Sequence, residues 1–199
     1  MFDINTIITV TGVVGVTAIV FAESGLFFGF FLPGDSLLFT AGFLASQGVI
    51  PIIPLVLCAI VAAIAGDSVG YWFGRKVGPM IFTRPDSRWF SQKRLADAHV
   101  FFEKHGPKSL ILARFIPAVR TFTPILAGVG QMHYGKFFVY NCIGGFLWAG
   151  ALPFAGYFLG ATVPGADRYV TFIVGAIIIL SVLPIVVPLT REWLAHRRG

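Results

Sequence analysis

Five ionisable residues stand inside runs that are otherwise apolar: Glu23, Asp35, Asp67, Arg114 and Arg120. A charge at a helix centre in a membrane costs roughly 2.5–3.5 kcal/mol on insertion scales, so several in one small chain need partners or water. Two kinds of chemistry meet that need. Acid–base pairs could tie segments of the chain together. Alternatively, the arginines could hold an anion while the acids take up and release protons. A guanidinium suits phosphate because its planar fork donates two parallel hydrogen bonds. A poorly hydrated carboxylate binds a proton more readily than one in water. Pairing in one state and ligand contact in another combines the two readings, and that is the expectation. Asp67, within Gly66-Asp67-Ser68-Val69-Gly70-Tyr71, could equally reach the membrane interface or bond to a neighbouring segment.

Other chemistries find little support. The histidines are His99, His105, His133 and His196; none lies within a few residues of Arg114 or Arg120, and no carboxylate–His cluster appears. An enzyme acting on lipid phosphates is therefore not expected. Cys58 and Cys142 sit in apolar stretches without Cys-x-x-Cys spacing, which reads as structural thiols with neither a metal nor a cofactor. The formal net charge of +6 is no sign of nucleic-acid binding, because the bases collect in one polar region and in the C-terminal tail, as membrane topology demands.

The elements that must position these residues are membrane helices. Hydrophobic residues make up 56% of the 199 and charged ones 12%, about half the usual charged share. No cleavable signal peptide is expected, since Met1-Phe2-Asp3 lacks a basic region. Leu32-Pro33-Gly34-Asp35 interrupts an apolar run from Ile7 to Gly48. Pro33 removes a backbone donor and Gly34 adds freedom, so a helix breaks there. Irregular backbone at membrane depth is tolerated only against protein or a water cavity. Asp35-Ser36 can cap the helix that follows. Ile116-Pro117-Ala118-Val119-Arg120-Thr121 forms a matching break, closing at Ala127-Gly128 as the first closes at Ala41-Gly42. Pro33 and Pro117 are 84 apart, whereas the Ala-Gly pairs and the two Gly-Tyr-x-x-Gly motifs, at 70–74 and 156–160, are 86 apart.

The expected fold is an all-α integral membrane protein of two inverted repeats. Each repeat is a Pro-broken re-entrant hairpin plus a transmembrane helix. The first occupies 7–78, with short arms before and after Pro33, a turn over Gln47 to Pro54 and a long helix over about Leu55 to Phe73. An amphipathic cytoplasmic connector follows at 79–108, with a surface helix over Ser87 to His105. The second repeat occupies 109–160, broken at Pro117 and again at Pro124, with a helix over Phe137 to Leu159. A final transmembrane helix at 169–190 ends in a basic tail. Lys and Arg at 75–108 and 191–198 place both regions on the cytoplasmic side.

Together these residues resemble the DedA family of membrane proteins. The likeness rests on Glu23, Phe31 to Asp35, Gly66 to Gly78, Arg114 to Thr121 and Ala127-Gly128, in order along nearly the whole chain. It implies two re-entrant hairpins facing each other, within a domain shared with eukaryotic lipid scramblases. It also implies translocation of a phosphate-bearing lipid across the bacterial inner membrane, undecaprenyl phosphate foremost, driven by the proton gradient. Arg114 and Arg120 would then bind the headgroup, and Glu23 and Asp35 would couple protons or gate. Asp67, Arg75, Ser36 and Thr121 would support them, and Pro33, Gly34 and Pro117 would break the helices. The partners are a polyprenyl phosphate or phospholipid, protons and the membrane, with a homo-oligomer left open. Scrambling of a phospholipid such as phosphatidylethanolamine, and proton-coupled antiport of a small cation or drug, are the alternatives; the two arginines oppose a cation site.

Overall fold

The computed structural model describes residues 4–25, 34–82 and 106–162. These residues form six helices and, among them, no strand: α1 Ile4–Gly25, α2 Gly34–Ser46, α3 Ile52–Phe82, α4 Ser109–Ala113, α5 Pro117–Val129 and α6 Tyr134–Thr162. Pro33, the connector helix over 87–105 and the final helix at 169–190 lie outside the described residues.

Local chemistry sets the helix boundaries. Ile116 is extended, with φ −112° and ψ 106°, because a following proline pushes its predecessor out of the helical region. Pro117 then opens α5 at a position where its fixed φ suits a helix start. Pro54 falls in the first turn of α3, where the N–H it lacks would have no helical partner anyway. Gly48 turns the chain between α2 and α3 at φ +76°, a left-handed conformation that glycine adopts without strain.

Four sequence expectations need correction. The first arm is not short: α1 has 22 residues and runs past Glu23, about 33 Å at helical rise. Pro124 does not break the second segment, because α5 continues through it to Val129. The long helix begins at Ile52, not Leu55, and continues past Phe73 to Phe82. The helix expected from Phe137 begins at Tyr134 and takes in Lys136.

Among the described residues, two helices are long and apolar enough to cross a membrane, over Ile52–Gly78 with 27 residues and Tyr134–Thr162 with 29. Each exceeds the roughly 20 residues a 30 Å hydrocarbon core requires. Val61, Leu112, Phe146 and Phe158 are more than 60% exposed. Large apolar side chains turned outward at this level belong against lipid tails.

The helices pack in a crossed pattern. Helix α1 lies along α3, α2 along α6, α5 along α3, and α3 touches α6. Thus α2 leans on the last described helix, and α5 leans on α3 from the other half of the chain. Backbone meets backbone at these seams. A Cβ at Gly42 would overlap the Pro153 carbonyl, one at Gly156 the Phe39 carbonyl, one at Gly74 the Ile125 carbonyl, and one at Gly128 the Tyr71 carbonyl. Lipid offers no hydrophobic drive for helix association, so such close contact supplies the attraction.

Val20, Leu38, Leu55, Ala59, Ala63 and Ala149 are buried where α1, α2, α3 and α6 meet. A smaller aromatic cluster joins α3 to the turn after α5. There Tyr71 stacks on Phe137 at 4.6 Å between ring centroids and donates its hydroxyl proton to the Met132 carbonyl.

Candidate functional site

All five ionisable residues singled out by the sequence come together between the two halves. Arg120, in the first turn of α5, forms ion pairs with Glu23 of α1 and, at 2.5 Å, with Asp35 of α2. Arg114, at the end of α4, pairs with Asp67 of α3. The crossed packing makes these pairs: α5 and α4 bring the bases, while α1, α2 and α3 bring the acids.

The surroundings of the two arginines differ. Arg114 is buried, and so is Asp67. Besides that carboxylate, the Arg114 guanidinium donates to Asn141 Oδ1 at 3.1 Å and to the carbonyls of Ala63 and Asn141, each at 3.4 Å. Asn141 is itself fixed by donating to the Ile64 carbonyl at 3.0 Å. A Cβ at Gly145 would lie 2.5 Å from Arg114 Nη1, and one at Gly144 would lie 3.3 Å from Arg114 Cδ. The two glycines form the slot that admits this side chain.

Arg120 sits in a looser setting. Glu23 is buried, but the Asp35 side chain is 38% exposed. Asp35 Oδ1 also accepts the indole N–H of Trp148 at 2.7 Å. The Trp148 ring faces the Arg120 guanidinium at 4.5 Å and that of Arg114 at 5.9 Å, within the reach of cation–π attraction. Gly34 has a second use beyond backbone freedom. A Cβ there would overlap Glu23 Oε2, so the glycine lets the acid lie against the start of α2. Asp35 lies in the first turn of α2. Its carboxylate goes to Arg120 and Trp148, although its charge still suits the positive end of that helix.

Two small clefts share Asp67, Arg114 and Arg120 in their walls. One continues along Leu110, Thr123, Phe137 and Tyr140. The other continues along Glu23, Ser24, Thr121 and Trp148. Thr121 is therefore a wall of the site, and Ser36 is half-buried next to Asp35. Arg75 lies elsewhere: it donates to the Tyr71 hydroxyl at 2.7 Å and stacks on Trp72 at 5.8 Å. Pro117 opens the helix that carries Arg120, one turn before it.

Sequence reasoning did not single out Asn141, Gly144, Gly145 or Trp148. They occupy positions i, i+3, i+4 and i+7 of α6, one stripe of a helix. Asn141 is the one amide side chain in α6, which is the signal that could have found it.

A VTT domain matches residues 32–158. DedA of Escherichia coli is 44% identical over 183 residues, covering 91% of this chain and 83% of that protein. The chain belongs to the DedA family. An uncharacterized membrane protein of Mycobacterium leprae is 45% identical over 179 residues, covering 90% of this chain and 78% of the relative. The inner membrane protein YqjA of Escherichia coli is 36% identical over 171 residues, with 84% and 76% covered. No solved structure matches the chain. The VTT match spans every member of the charged site except Glu23, which precedes it in α1. Like its relatives in the DedA family, the chain is a membrane protein.

Proposed function

We propose that this protein moves a phosphate-bearing lipid, undecaprenyl phosphate foremost, across the bacterial inner membrane in exchange for or together with protons. The observation that carries the reading is the position of Arg120. A guanidinium held by Glu23, Asp35 and the Trp148 ring, where α1, α2, α5 and α6 converge, can exchange carboxylate partners for a phosphate. Arg114 stands beside it on the walls of the same clefts, adding positive charge to the headgroup site.

Proton coupling follows from the charge count. Glu23, Asp35 and Asp67 face Arg114 and Arg120, three carboxylates to two guanidiniums. The surplus acid belongs to the Arg120 group, which has two. A proton on Glu23 or Asp35 brings the set to neutrality and loosens one of the two holds on Arg120. The guanidinium then turns to the headgroup while the tails stay in the bilayer through a lateral opening. Loss of the proton returns it to the carboxylates and releases the lipid. No step forms a covalent bond, and the protein acts as a transporter.

The architecture of this proposal is the inverted repeat, with segments 7–78 and 109–160 entering from opposite sides, the 79–108 connector and the C-terminus in the cytoplasm, and a last helix at 169–190. The crossed packing of α2 on α6 and α5 on α3 supports it, and in this proposal the two helix breaks meet near mid-membrane, a common way for transporters to build sites. The test is reconstitution into proteoliposomes. Arg120→Ala should lose lipid-phosphate flipping while keeping its helical spectrum and a monodisperse elution profile. Wild-type rates in that variant would remove the proposed site.

A further inference from the structure

Trp148 contacts both sides of the charge arrangement at once. Its indole N–H donates to Asp35 Oδ1 at 2.7 Å, the same oxygen that Arg120 holds at 2.5 Å. Its ring lies 4.5 Å from the Arg120 guanidinium. It is 4% exposed and lines the cleft that contains Glu23, Thr121 and both arginines. Neither contact is needed for packing alone, since a buried aromatic of similar size could fill the space without a donor aimed at a carboxylate.

The two contacts matter most when Arg120 changes partner. A phosphate competes with Asp35 for the guanidinium. If it wins, Asp35 loses its base inside the protein, and a charged group stripped of its partner is costly. The indole N–H gives Asp35 a second partner that does not leave with Arg120. The ring meanwhile offers the guanidinium a face that accepts positive charge without using any of its N–H donors. Those donors remain free for phosphate oxygens. Resting on the transport reading above, we propose that Trp148 is a positioning residue of the lipid-phosphate site. It holds Asp35 by its N–H and carries the Arg120 guanidinium on its ring while that guanidinium binds the phosphate.

The two functions separate by substitution. Trp148→Phe keeps a ring and loses the N–H; Trp148→Leu loses both. The measurement is binding of undecaprenyl phosphate to the detergent-solubilised full chain, in the native and in the Asp35→Asn background. Trp148→Phe should weaken binding roughly three- to tenfold in the native background, less than a fully buried hydrogen bond to a charged group implies because the Asp35 side chain is 38% exposed. In Asp35→Asn no carboxylate is left stranded, so the same change should cost less than about twofold. Trp148→Leu should bind more weakly than Trp148→Phe in both backgrounds, through loss of the ring. Trp72→Phe, a partly exposed tryptophan of α3 outside the walls of both clefts, is the control and should bind as wild type.

A purely structural tryptophan would lower thermal stability and weaken binding equally in both backgrounds. That result, or wild-type binding by Trp148→Phe, overturns the role of Trp148 and leaves the transport reading standing. Failure of the wild-type protein to bind undecaprenyl phosphate would instead overturn the transport reading and this one with it.

Discussion

Arg114 and Arg120 are the same residue type six positions apart, yet the fold uses them differently. Arg114 is enclosed by Asp67, Asn141 and the Ala63 carbonyl in a slot made by Gly144 and Gly145. Removing one member of a buried pair strands the other, at a cost of about 3–5 kcal/mol. Arg120→Ala likewise strands buried Glu23, along with partly exposed Asp35, but Arg114→Ala also leaves Asn141 and the Ala63 carbonyl without their donor, so it should lower the melting temperature in detergent further. Equal losses would mean that the two arginines are equivalent. The sequence made these five charges visible because ionised groups in apolar runs demand an account. It did not reveal who pairs with whom. Arg120 takes two acids that lie 97 and 85 residues away, and that choice depends on which helices cross. Trp148 was illegible for a different reason. An aromatic residue in an apolar helix looks like any other core residue until its N–H is seen to point at Asp35.

Helix seams carry the next prediction. Gly70 and Gly74 belong to one Gly-Tyr-x-x-Gly motif on α3 but face different surroundings. A Cβ at Gly70 would meet the Ile125 and Pro124 side chains at 3.6 Å, an ordinary contact, whereas one at Gly74 would overlap the Ile125 backbone. Gly74→Ala should destabilise by about 1–3 kcal/mol, since backbone cannot yield as a side chain does. Gly70→Ala should be neutral or gain up to about 1 kcal/mol from better helix propensity. Thermal melts of the two variants decide it, and a reversed order would remove the packing argument. The repeated motif was readable from spacing, and close approach of backbones gives a physical reason for one glycine in each copy, Gly74 against α5 and Gly156 against α2. Element boundaries were read less well. Pro124 looked like a second break because a proline inside a helix forfeits a hydrogen bond, yet packing of α5 on α3 holds the helix through it. The apolar run before Glu23 fits either a short hairpin arm or, extended past Glu23, a full span; α1 takes the longer form, reaching Gly25 with Glu23 paired to Arg120.

The whole molecule is legible as far as its class: a charge-poor, Phe-rich chain of this length belongs in a membrane. Its insertion can be tested at two turns. Gln47 lies beside the end of α6, donating to the Gly160 carbonyl at 3.4 Å, while Gln131 lies beside the Tyr71–Met132 contact near Arg75. The inverted-repeat proposal puts these turns on opposite faces of the bilayer. With Cys58 and Cys142 replaced, Gln47→Cys should react with an impermeant maleimide in intact cells. Gln131→Cys should react only after permeabilisation. Labelling of both from one side would contradict the inversion. The surplus carboxylate of the charged cluster has a consequence for energetics on this scale. With every group ionised, the unloaded centre is one unit negative, and a phosphate arriving without protons deepens that deficit. Each uncompensated unit crossing the bilayer feels about 2.3 kcal/mol per 100 mV of membrane potential. Under the transport proposal, protons carried with the headgroup would shield the cargo from that field, so how many ride along would decide whether a living cell's voltage hinders the passage or leaves it electrically silent.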